Sequence, residues 1–69
     1  MRQYWRLVSL DPCTGRFIVV TYDHEDQVRR RVERGDLDSL LTVWFAAEAH
    51  QALDEMERRA REFLRHKME

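Results

Sequence analysis

Apolar positions crowd into two short runs in the first third of the chain. Gln3 to Leu10, "QYWRLVSL", and Arg16 to Asp23, "RFIVVTYD", are rich in aromatic and β-branched residues. Such side chains fit a pleated, half-buried surface, so both runs predict strands. Between them "DPCTG" supplies a turn. Asp11 accepts backbone hydrogen bonds, Pro12 presets the first turn dihedral and Gly15 tolerates a positive φ. The pattern predicts an antiparallel hairpin.

The period then lengthens. In "DHEDQVRRRVERGD", Val28 and Val32 lie one helical turn apart, and Gly35 fits a C-terminal stop. Asp23 suits an N-cap, with Asp26 three residues on, and the acidic first turn complements the helix dipole. From Leu37 onward two readings compete. A single helix from Asp38 to Lys67 has good caps in Asp36 and Asp38, whereas Ala46 is a poor one. Projected at about 100° per residue, however, the apolar positions split. Leu37, Leu40, Leu41 and Trp44 form one stripe; Ala49, Ala52, Leu53, Met56, Ala60 and Phe63 form another, roughly a third of a turn away. One straight helix would present these stripes to different partners. The simpler reading makes Leu40 to Phe45, "LLTVWF", a third strand and Ala46 to His66 the main helix. The expected fold is α+β in the order β–β–α–β–α, one small domain over residues 1–69. A three-stranded antiparallel sheet carries a long C-terminal helix on one face.

Both faces of that sheet read as partly apolar. The first strand puts Trp5 and Leu7 on one side, and Tyr4, Val8 and Leu10 with Arg6 on the other. The second divides as Phe17 and Val19 against Ile18, Val20 and Tyr22. A solvated face would be polar at alternate positions, and exposed apolar area beyond a few hundred Å² marks an interface. A chain of this length buries only about 60% of its unfolded surface and gains from self-association. A homodimer is expected.

Charge narrows the partner. Twelve basic and 13 acidic side chains leave a formal net charge of −1, where a dedicated nucleic-acid binder carries a basic surplus. Cys13 is the only cysteine, which excludes an intrachain disulfide and suggests a reducing, cytoplasmic setting. No signal-peptide pattern is readable near the start. The longest apolar run, Leu40 to Ala47, falls far short of the ~20 residues of a membrane span. A soluble protein without a membrane partner is expected.

The arginines of "QVRRRVERGD" are the strongest functional signal. Glu25 with Arg29, Asp26 with Arg30, and Arg29 with Glu33 have one-turn spacing. So do Asp54 with Arg58, Glu55 with Arg59, and Glu57 with Arg61. The ordinary reading is a solvated face laced with ion pairs. Arg31 and Arg34 have no obvious local acid, which leaves Arg30, Arg31 and Arg34 as a candidate contact patch. On the sheet, Tyr4 and Tyr22, taken to share a face with Arg6, are the other candidates for contact with a partner. Trp5 and Trp44 read as core.

Chemistry beyond contact is sparse. Cys13 at the hairpin tip has no helix N-terminus beside it to activate a thiolate. His24, His50 and His66 are scattered and lack the spacing of zinc ligands. Ser9, Ser39 and Thr21 lie in no nucleophile motif, and both glycines are accounted for by turns, so no phosphate-cradling loop is present. "RGD" at Arg34 to Asp36 is a chance match in an Arg-rich chain. No enzyme, metal or cofactor is expected.

"YWRLVSLDPCTGRFIVVTYD" followed by "WFAAEAHQALDEMERRA" resembles the amino-terminal arm-binding domain of tyrosine recombinases. That family combines three strands and a helix with a W-x-(V/L)…D-P-x-(T)-G hairpin, and the resemblance implies a sheet that contacts DNA. The chain departs from it by 16 additional residues, His24 to Ser39, before the third strand, and by its lack of basic surplus. The reading that best fits the residues is a non-enzymatic regulatory or interaction protein. It would act as a homodimer on a larger protein, in the manner of small inhibitors or modulators encoded by phage or mobile elements. The alternative is a nucleic-acid-binding module using a sheet face or the Arg30, Arg31 and Arg34 patch.

Overall fold

The computed structural model describes residues 2–68. Strands β1 (Gln3–Asp11), β2 (Arg16–Tyr22) and β3 (Thr42–Glu48) form one antiparallel sheet in the order β2-β1-β3. Helix α1 (Glu25–Glu33) lies between β2 and β3 in sequence, and α2 (Leu53–Met68) follows β3. The α+β architecture, element order and long C-terminal helix are as the sequence predicts.

The hairpin closes as its residues dictate. The Asp11 carboxylate accepts the Cys13 N–H at 2.9 Å, and the Asp11 carbonyl accepts that of Gly15 at 2.8 Å. Gly15 has φ of 72°, a left-handed conformation that a Cβ would strain.

Helix α1 begins one residue later than expected. His24 occupies the cap, its N–H donating to Gln27 Oε1 at 3.0 Å. Asp23, the predicted cap, instead pairs with Arg2 at 3.3 Å. Val28 is fully buried against the sheet while Val32 stays half exposed, so the expected apolar line holds through one residue.

The segment after Gly35 settles the competition between long helix and third strand. Asp38 does cap, but it caps a turn: its carboxylate accepts the Leu40 N–H at 2.9 Å and its carbonyl that of Leu41 at 3.0 Å. The strand starts only at Thr42 and runs on through Ala46 and Ala47, which the sequence reading gave to the helix. Tertiary packing overrides alanine's helix preference here: Ala47 lies buried opposite Tyr4. The helix therefore begins at Leu53, with Asp54 and Glu55 in its first turn.

The core lies between α2 and one sheet face. Met56, Ala60 and Leu64 come down on Val8, Val43 and Phe45. The buried helical line is thus spaced i, i+4, i+8, with Leu64 in the place expected for Phe63. Leu53 and Phe63 flank it and remain exposed. Helix α2 packs over β3 and β1, and α1 covers β1 and β2 on the opposite face.

Candidate functional site

Sheet register places each predicted contact residue. Trp5 pairs with Tyr22, and Arg6 with Thr21 and Phe45. Tyr4 and Arg6 therefore share the α2 face, whereas Tyr22 stands beside Trp5 on the α1 face. The expected trio does not form one surface.

Arg6 is turned inward. Only 9% of the residue is exposed. Its Nη1 donates to Thr21 Oγ1 at 2.5 Å and its Nη2 to the Glu48 carbonyl at 3.0 Å. The guanidinium thus spans the sheet from β2 to β3, with the Tyr4 ring 5.9 Å away. Tyr4 itself carries Arg2 over its ring at 4.9 Å.

The α1 patch divides likewise. Arg31 hydrogen-bonds to Asp36, and Arg34 approaches the same carboxylate at 3.9 Å. Arg30 is exposed and, among the described residues, has no carboxylate partner. The hydrogen bond from Arg31, followed by the nearby charges of Arg31 and Arg34, holds the Asp36 carboxyl below its ordinary value against an opposing effect of burial. A depressed folded-state value adds stability above the ordinary carboxylate range and loses it as pH falls through the depressed value. Arg31→Gln is expected to move the Asp36 titration, followed by carboxyl NMR, upward. An unchanged midpoint would refute the pairing.

Of the expected one-turn pairs, Glu25 with Arg29 forms at 2.5 Å. On α2 the pattern is rearranged. Arg58 pairs with Glu55 and, at 3.0 Å, with Glu62. Arg59 lies 4.2 Å over the Phe45 ring and donates to the Ala46 carbonyl at 3.3 Å. Arg61 covers Phe17 at 5.2 Å. Guanidinium groups stack on aromatic faces, so two cations assigned to the wet side of the helix lie against rings instead.

An apolar groove along the free edge of β3 was not foreseen. Val43, Trp44, Phe63, His66 and Lys67 line a volume of about 400 Å³. A second recess of about 270 Å³ continues past Trp44 and Lys67 toward Val32 and Leu37 on the α1 side. Phe63 is 46% exposed and Trp44 37%. Trp44 is held in place by Trp5, at 5.9 Å between ring centroids, and by Arg29 above it. Lys67 Nζ donates to the Ser39 and Thr42 carbonyls at 2.9 and 2.7 Å, tying the end of α2 to the start of β3. The sequence signal was the excess of apolar residues on two incompatible stripes, of which Leu40, Trp44, Leu53 and Phe63 are left exposed.

Among the described residues no group of three His, Cys, Asp or Glu side chains gathers, and no helix is long and apolar enough to cross a membrane. Cys13 is exposed at the hairpin tip. Compared with protein-family models, curated protein sequences and solved structures, the chain finds no match.

Proposed function

We propose that this chain is a small, non-enzymatic interaction protein that acts as a homodimer and regulates a larger protein partner. The observation that carries this reading is the groove beside β3. Trp44 and Phe63 stand half exposed around an apolar recess large enough for one or two side chains of another molecule. Aromatic anchors in such recesses dominate protein–protein binding energy. The partner is expected to present an apolar side chain or short apolar segment to the groove.

Nucleic-acid binding has less to draw on. Arg6 is buried and committed within the sheet, Arg31 and Arg34 converge on Asp36, and the formal net charge is −1. Of the patch, Arg30 alone has no carboxylate partner among the described residues, too little for a phosphate-tracking surface.

Affinity capture on the tagged protein, with and without nuclease, tests the reading. The expected result is a protein retained after nuclease treatment, insensitive to salt, and lost with Phe63→Asp at unchanged circular dichroism. Capture that requires nucleic acid and falls steeply with salt would overturn it.

A further inference from the structure

The two edges of the sheet are built differently. Leu10 N–H donates to the Leu41 carbonyl at 2.8 Å. Alternation along an antiparallel pair then turns the backbone groups of Tyr4, Arg6, Val8 and Leu10 toward β3, and those of Trp5, Leu7 and Ser9 toward β2. On β3 the outward-facing residues include Thr42 and Ala46. Their carbonyls are already taken, by Lys67 at 2.7 Å and by Arg59 at 3.3 Å. Cations at a strand edge block pairing with another chain, and this edge has two.

On β2 the outward-facing residues are Phe17, Val19 and Thr21. Among the described residues nothing hydrogen-bonds to their N–H or C=O groups. Past Arg16 the strand "RFIVVTY" contains no charged residue, proline or bulge, and Arg61 lies over the Phe17 ring without bonding to the strand's backbone, so its outward N–H and C=O groups are left open to another strand. Beside it, Ile18 and Val20 stand 57% and 41% exposed.

We infer that this edge is a self-association surface, and that a second copy of the chain pairs its own β2 there, antiparallel, about a twofold axis at Val19. The inference rests on the homodimeric part of the reading above and assigns its interface. Phe17, Val19 and Thr21 are symmetric about Val19. Antiparallel pairing therefore matches Val19 with its own copy, and Phe17 with Thr21 in both directions, each pair exchanging two hydrogen bonds. Ile18 of each copy falls opposite Val20 of the other in a non-hydrogen-bonded pair, where side chains approach most closely. The two exposed apolar side chains thereby cover one another.

Charge selects the same arrangement. Arg16 opens the strand, and Asp23, exposed and also paired with Arg2 at 3.3 Å, follows its end. Antiparallel pairing sets each copy's arginine at the other's aspartate end, whereas parallel pairing would set like charges together. The single bare edge also fixes the stoichiometry. Two open edges would propagate a fibre; one closes as a pair.

Sedimentation velocity across a dilution series tests this. The wild-type chain is expected at twice its 8.4 kDa mass. Ile18→Lys and Val20→Glu should each weaken the dimer by about tenfold or more, because each sets a charge against an apolar neighbour. The double variant I18K/V20E should recover it, since position 18 of one copy faces position 20 of the other. Both sites are exposed, so circular dichroism should be unchanged. A monomer at all concentrations, a dimer indifferent to Ile18→Lys, or no recovery in the double variant would overturn the assignment. If Phe63→Asp dissociated the dimer while Ile18→Lys did not, the copies would meet at the groove. That would overturn the β2 interface while leaving the homodimer intact. Partner capture by Ile18→Lys, still sensitive to Phe63→Asp, separates loss of this interface from failure of the groove reading.

Discussion

Phe45→Ala is expected to leave the chain unfolded at 25 °C. Phe45 is 6% exposed at the centre of the cluster formed by Val8, Val43, Met56, Ala60 and Leu64. It also meets the Phe63 ring at 6.0 Å and carries the Arg59 guanidinium over its face at 4.2 Å. Truncating a buried phenylalanine to alanine costs about 3–5 kcal/mol in lost transfer energy and cavity. A core of this size supplies about 3–5 kcal/mol in total. The loss therefore matches the whole stability, where in a larger domain it would be a fraction. Phe45→Leu keeps most of the volume and should cost about 1–1.5 kcal/mol, lowering the melting temperature by roughly 4–12 °C. Thermal melts followed by circular dichroism separate the cases. A cooperative melt for Phe45→Ala within a few degrees of wild type would show that stability resides elsewhere, the dimer edge being the first place to look.

The hairpin was legible in the sequence because its determinants are local. Asp11 and Gly15 act within a few residues of themselves, and alternation reports burial wherever one face is covered. The third strand was legible in kind but displaced in position. Its true start depends on Asp38 spending its capping capacity on a turn, and its extension through Ala46 and Ala47 depends on a helix that packs above it. Neither cause is visible in the strand's own residues. Pairing across the loop explains the misplaced tyrosine. Trp5 pairs with Tyr22, so even-numbered residues of β1 share a face with odd-numbered residues of β2. Tyr4 and Tyr22 must then lie on opposite sides, and only the length of the hairpin loop decides it. Ion pairs were the least legible feature. One-turn spacing permits a pair, but Arg59 and Arg61 found aromatic rings across the fold that no local pattern announces.

Arg6 is a lone charge among Tyr4, Val8 and Leu10 on a face that must be covered. Its burial leads to the second expected result: Arg6→Met should raise the unfolding free energy by about 1–2 kcal/mol. Among the described residues the guanidinium has no carboxylate partner, and its Nε is buried without a hydrogen bond. Removing it from water is therefore offset only by two neutral acceptors and a distant ring. Methionine keeps the length of the apolar stem and removes the charge. It strands nothing in exchange. The Glu48 carbonyl keeps the Gln51 N–H at 3.1 Å, and Thr21 is an exposed residue whose hydroxyl is expected to turn to water. Thr21→Val makes the opposite change, leaving Nη1 without its acceptor, and should cost about 1–3 kcal/mol. Urea unfolding should thus order the midpoints as Arg6→Met, wild type, Thr21→Val. A lower midpoint for Arg6→Met would give the guanidinium a different role. It bonds to β2 on one side and β3 on the other, so its loss would then have loosened the sheet itself, and the edge geometry of both outer strands with it.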